Sequence, residues 1–176
     1  MTTLTDRMIR AAKLDVHLYE EVEADKGAMR QAMAVVVLSS LAAGIGSISN
    51  LGIGGILLGT AGALGGWYVW AYLAYFIGTK FLPEPQTEAD LGQLLRTTGF
   101  SSAPGLIRIF GLIPGLGTVV FTMASIWMLV AMVIAVRQAL DYTATWRAVA
   151  VCAIGWIIQT LILALLFSLL GGPPAL

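Results

Sequence analysis

Charge is scarce in this sequence. Only 11% of its 176 residues are charged, where a soluble domain carries about 25%. Eleven of the twenty charged residues also fall within the first thirty positions. Long later stretches therefore have none, and a soluble fold of this length would have no means of wetting its surface there. Net charge is zero with a pI near 6.5, which removes the basic face that nucleic acid requires. No nucleic-acid partner is expected. Cysteine occurs once, as Cys152 inside an apolar run, so neither an internal disulfide nor a multi-cysteine metal site is available.

Histidine also occurs once, as His17 in the N-terminal segment. That leaves no Ser-His pair within an apolar run, no His-Glu-x-x-His zinc helix and no histidine to ligate a haem. No glycine-rich stretch ends in Gly-Lys-Ser/Thr or matches the dinucleotide fingerprint. Catalytic, cofactor-binding and metal-ligating residues are accordingly expected to be absent, and the protein is expected not to be an enzyme. A secretory leader is not expected either: acidic residues crowd the start, and the first apolar run opens only near Ala28.

What the chain has in abundance is apolar length: 58% of it is hydrophobic. A membrane-spanning helix needs about 20 mostly apolar residues. The runs 31–48, 53–77 and 148–170 meet that need directly. The stretch 103–136 is too long for one span and contains Pro114-Gly115-Leu116-Gly117, a helix-breaking combination. It divides into a short apolar helix, 103–113, and a full span, 118–135. As an ideal α-helix the short piece would be about 16 Å long, less than the ~30 Å hydrocarbon core.

Lysine and arginine mark the cytoplasmic ends of spans. Arg7, Arg10, Lys13, Lys26 and Arg30 precede the first span, Lys80 and Arg96 lie in the loop 80–102, and Arg137 and Arg147 follow the fourth span. Five crossings gather them on one side, whereas four would strand Arg137 and Arg147. The expectation is an all-α, five-span bundle in the cell's inner (plasma) membrane, with the N-terminus cytoplasmic and the short tail 171–176 outside.

The N-terminal segment 1–30 reads as an amphipathic helix over Leu4–Val22, its early basic residues suited to an anionic leaflet. Glu20, Glu21, Glu23 and Asp25 follow, either as a solvated helix end, with Asp25 capping the next helix, or as a docking surface for a partner. In the loop, Thr87 to Asp90 matches a helix-starting capping pattern, Leu91, Leu94 and Leu95 give an apolar face, and Gly99 suits a stop.

Within the spans, Gly55, Gly59, Gly62 and Gly66 form one small-residue stripe of two GxxxG units. Such stripes let membrane helices approach closely. Ala148, Cys152, Gly155 and Gln159 echo the pattern in the last span. The partner helix belongs either to this chain or to a second copy. Trp67, Tyr68, Trp70, Tyr72 and Tyr75 suit headgroup anchors. Arg108 is the one ionisable residue well inside an apolar run, and such residues are functional candidates. It either snorkels to the cytoplasm or holds a lipid phosphate or an acidic partner. Gln159 suits an interhelical hydrogen bond, and Arg137 with Asp141 forms an i, i+4 pair at a span end.

Three stretches resemble one family. Leu14 to Asp25 (LDVHLYEEVEAD), Leu91 to Pro104 (LGQLLRTTGFSSAP) and Ile126-Trp127 with Val136 to Tyr142 (VRQALDY) are similar to bacterial members of the Yip (Ypt-interacting protein) family. The resemblance implies five spans with a cytoplasmic N-terminus. Eukaryotic members are associated with vesicle transport and bind Rab-type GTPases and each other, but this chain has only about thirty residues before its first span. The expectation is therefore a non-enzymatic membrane protein that associates with lipids and with other membrane proteins, as a homo-oligomer or within a complex. Its contacts would be Arg108, Arg137, Asp141, Gln159, Glu20, Glu21 and Glu23. The rival expectation is a small transporter with a broken-helix site near Arg108.

Overall fold

The computed structural model describes residues 3–169; Leu170 and the tail 171–176 lie outside them. The described residues contain helices and no strand. Two short helices, α1 (Leu4–Ala12) and α2 (Val16–Ala24), precede a 3-10 turn, Lys26–Ala28. There follow α3 (Met29–Gly46), α4 (Ile48–Lys80), α5 (Leu91–Phe100), a 3-10 segment (Ala103–Leu112), α6 (Gly117–Ala139) and α7 (Thr145–Leu169). Four stretches are long and apolar enough to cross a membrane: Lys26–Gly46, Gly52–Lys80, Gly117–Ala139 and Thr145–Leu165. The protein is a multi-pass membrane protein.

Local chemistry sets the helix limits. The segment expected as one amphipathic helix is two, because Leu14 takes a positive φ of 61° and the Asp15 carboxylate accepts from the His17 N–H at 3.0 Å to start α2. Asp25 accepts from the Gly27 N–H at 2.8 Å, so it caps the 3-10 turn that leads into α3. Asp90 and Gln93 form a reciprocal capping box that opens α5, each satisfying a backbone donor that the helix leaves free. Thr87 instead closes the preceding turn, accepting from the Glu84 N–H at 2.9 Å. Gly115, at φ 84°, makes the turn before α6.

Gly99 does not stop α5, which runs on to Phe100. Its lack of a side chain serves packing: a Cβ there would stand 2.8 Å from the Ala32 Cβ. Two similar approaches follow. Gly105 faces the Ser39 hydroxyl, and a Cβ on Gly111 would meet the Gly46 carbonyl oxygen at 2.8 Å. Residue numbers rise together along both chains, so α5 and the 3-10 segment run beside α3 in the same direction. α6 then returns alongside, with Phe121 against Gly111 and Met128 against Gly105. A 3-10 helix rises about 2.0 Å per residue against 1.5 Å in an α-helix, so ten residues reach about 20 Å.

Packing is concentrated at one end. One core cluster joins Ala71, Ala74 and Ile77 of α4 to Val136, Ala139 and Leu140 of α6 and to Ala148, Val151 and Cys152 of α7. The other joins Ala11, Leu18, Tyr19 and Val22 to Ala32, Val35, Phe100 and Ala135. Both lie near the end that carries α1, α2 and the loop 80–102. Towards the opposite end Ile53, Leu57, Leu58, Leu161 and Leu165 face outward, as lipid-facing side chains do.

Candidate functional site

Every charged residue except Arg108 belongs to the segments 6–30, 80–96 and 137–147, which the fold brings to one face. Arg7 is 6% exposed and donates to Glu21 and Asp25 at 2.8 Å each and to Gln31 at 2.7 Å. Arg10 donates to Asp15 at 2.8 Å and to Glu21 at 2.6 Å. Of the basic residues expected to meet a lipid leaflet, Arg7 and Arg10 are thus engaged by acidic partners of the N-terminal segment, and Lys13 is exposed. Burial works against the charged form of Arg7, yet its bonds to Asp25 and Glu21 outweigh that and raise its pKa. The bond from Arg10 holds Asp15 below the usual carboxylate range, and that from Arg7 does the same for Asp25.

The face is knitted across the chain. Arg96, 5% exposed, donates to the carbonyls of Val22 and Glu23. Arg147 pairs with Glu84 at 3.3 Å, and Glu84 accepts from the Thr143 N–H at 3.0 Å and its hydroxyl at 2.8 Å. The backbone donor of Thr143 contributes most to lowering the Glu84 pKa to about 2. The Tyr142 hydroxyl donates towards the carbonyls of Gly78 and Leu82, at 3.1 and 2.8 Å.

Between these elements lies a cleft of about 720 Å³, lined among others by Glu20, Glu23, Gln93, Arg137, Gln138 and Asp141. Glu20 accepts from Gln138 at 2.9 Å and Glu23 from Gln93 at 3.1 Å. Desolvation, followed by repulsion from Asp141, raises the Glu23 pKa to about 7. Arg137 donates to the carbonyls of Tyr142 and Thr143, both at 3.2 Å. The i, i+4 pairing expected with Asp141 is replaced, because α6 ends at Ala139 and Asp141 has left helical geometry at φ 52°. Four of the seven polar candidates from the sequence therefore meet in one cleft, while Glu21 turns inward to Arg7 and Arg10.

The other two, Arg108 and Gln159, meet elsewhere. Both line a cavity of about 330 Å³ walled by α3, α4, α6 and α7, where Gly66, Trp67, Trp70 and Trp156 also contribute. Arg108 donates to the Ser125 hydroxyl at 3.1 Å and stands over the Phe121 ring at 5.7 Å. Both partners belong to the half of α6 remote from the charged face, so the side chain does not snorkel to that face. Arg108 Nε and Gln159 Oε1 are buried without a hydrogen-bond partner.

The middle of the glycine stripe, Gly59 and Gly62, points outward, while Gly66 borders the cavity. A Cβ on Gly59 or Gly62 would meet nothing within 4 Å, and one on Gly66 would meet only Gln159 at 3.7 Å. Gly55 is half-buried. The small residues of α7 face inward instead: Cys152 is 4% exposed, and a Cβ on Gly155 would stand 3.3 Å from the Trp70 ring. α4 and α7 thus pack through Trp70, Ala71, Ala74 and Ile77 against Gly155, Val151 and Cys152. Sequence spacing did not reveal the bonds from Trp67 to the Leu95 carbonyl and Thr98, both 3.2 Å, or the Tyr142 bridge.

The Yip1 domain model matches residues 17–167. The chain belongs to the Yip1-domain family. The match takes in α3 to α6 whole, most of α2 and nearly all of α7, and so covers both the cleft and the cavity. No curated protein and no solved structure matches the chain.

Proposed function

We propose that this Yip1-domain protein is a non-enzymatic membrane organiser that binds other membrane proteins through its charged, cytoplasmic face. The supporting observation is the cleft, where Glu20 and Glu23 of α2 share one opening with Asp141 from the turn after α6. Desolvation first, and repulsion from Asp141 second, raise the Glu23 pKa to about 7, and a partner's lysine or arginine entering the cleft would favour its charged form. The outward glycines of α4 offer a second contact within the bilayer, to another copy or to a partner helix.

The topology we propose has five crossings, the third made by α5 and the 3-10 segment together. Their combined length is about 35 Å, and they run beside α3 in its own direction. Nine of the ten basic residues then share the cytoplasmic side, in the plasma membrane. Extraction in a mild detergent, followed by native mass measurement and identification of what travels with the chain, tests the association reading. A defined partner or oligomer, weakened by Glu23→Gln with Asp141→Asn, is expected. A strictly monomeric chain accompanied by bulk lipid alone would overturn it.

The rival is a small transporter, favoured by the broken third segment and the cavity beside it, since discontinuous helices often line binding sites. Solute flux in proteoliposomes, lost on Arg108→Ala, would favour it.

A further inference from the structure

We infer that the central cavity is a lipid-phosphate site, taking one amphiphile with its phosphate on Arg108 and its hydrocarbon tail directed to the bilayer. The inference is independent of the association reading, since it uses none of the cleft residues.

The first ground is unmet charge. Among the described residues Arg108 is the only charged side chain that the fold places far from the charged face, and no carboxylate among them lines its cavity. Its one side-chain hydrogen bond is to a neutral hydroxyl, that of Ser125. A cation within a bilayer is costly unless paired, and a planar guanidinium suits phosphate oxygens, which accept two of its N–H groups at once. Arg108 Nε, buried and without a partner, is the donor left for that second bond.

The second ground is Gln159. Gln159 lines the same cavity, and its Oε1 is buried without a partner. An acceptor left bare in an apolar interior costs free energy, and a headgroup hydroxyl or ammonium beside the phosphate would donate to it. One ligand bearing both an anion and a donor would satisfy both orphaned atoms.

The third ground is the wall. Val36, Met128, Met132, Trp67 and Trp70 make it largely apolar, which does not suit a free hydrated anion. On the α7 side it ends at Trp156 and Leu163, which are 67% and 46% exposed and provide a passage for a tail. About 330 Å³ is too little for a partner's helix, whereas ligand sites of roughly 300 Å³ and above are ordinary for small molecules.

The test uses the full chain in detergent, with tryptophan emission followed as brominated-chain phosphatidylglycerol is added. Brominated diacylglycerol, which has the tails without the phosphate, is the control. Saturable quenching by the phospholipid is expected, with unbrominated phosphatidylglycerol competing and both diacylglycerol and inorganic phosphate failing to compete. Arg108→Gln should weaken it by roughly tenfold to a hundredfold, the range for losing a charged hydrogen-bond partner, and Arg108→Lys by less. Equal quenching by diacylglycerol would overturn the inference in favour of annular lipid, and displacement by inorganic phosphate would overturn it in favour of a free anion. Unchanged affinity in a folded Arg108→Gln would also overturn it. Should that variant not fold, the competition series on the unaltered chain and on Gln159→Leu decides by the same criteria.

Discussion

Gly46 at the end of α3 and Arg108 in the 3-10 segment meet so closely that a side chain at Gly46 would run into the Arg108 carbonyl oxygen. That contact, with those of Gly105 and Gly111, holds a non-α segment against α3, and in the five-crossing topology we propose that segment lies where lipid offers no hydrogen bonds. The 3-10 helix needs close neighbours on that account, and glycine supplies the room.

Gly46→Ala should therefore cost about 2 kcal/mol, as overpacking of a tight contact does. A lowered thermal midpoint in detergent checks it. Gly59→Ala, in open space on α4, should leave the midpoint unchanged or slightly higher.

Bulk on the outward stripe separates folding from association. A Cβ on Gly59 or Gly62 meets nothing within 4 Å, so the monomer carrying Gly59→Ile with Gly62→Ile should fold as before. Native mass should show loss of any oligomer or helix-mediated partner. Retention of the complex would assign association to the charged face alone.

The Glu23 carboxyl should make stability depend on pH. Its folded pKa is about 7 against an ordinary 4.5, so the folded state holds its proton more tightly than the unfolded state does. Stability from this group is then highest below about pH 4.5 and declines as pH rises towards 7, after which the loss is complete. Unfolding midpoints taken at intervals from pH 5 to pH 8 should fall, and Glu23→Gln should remove this part of the decline.

Tyr142 joins the end of α4 to the turn after α6 through the carbonyls of Gly78 and Leu82. Tyr142→Phe leaves both carbonyls without that donor and should cost about 1 kcal/mol. Faster proteolysis within 80–90, read by mass spectrometry, would report the loosened loop.

Arg7→Ala removes one residue that holds Glu21, Asp25 and Gln31 together. A cost of about 2 kcal/mol is expected, seen as earlier protease cleavage near residues 12–15 while the membrane helices stay protected. Equal protection in both proteins would show that apolar packing of Leu18, Tyr19 and Val22 holds the segment unaided.

The parts of the fold legible in sequence were those governed by nearest neighbours along the chain. Pro114 and Gly115 announce the break before α6, and the apolar runs announce α3, α4, α6 and α7, because hydropathy and backbone restriction act over a few residues. Asp90 was within the recognised capping pattern, although the helix opens after it and not after Thr87. The break at Leu14 carried no such signal, since leucine rarely adopts a positive φ and does so here within tertiary packing. The orientation of the α4 glycines was equally hidden. A helical stripe shows which residues share a face and says nothing of what lies opposite.

By itself, the sequence determined that this chain is helical, lives in a membrane and keeps its charges towards one side, because the free energy of placing each side chain in lipid or water depends on that side chain alone. Only the tertiary structure decided which charges neutralise one another. Arg7 and Arg10 take Glu21 inward, Glu20, Glu23 and Asp141 are left around an open cleft, and Arg108 and Gln159 line a cavity with no carboxylate among the described residues. Pairing energies depend on distances of a few ångströms between residues up to a hundred or more positions apart, and only the folded chain sets those distances.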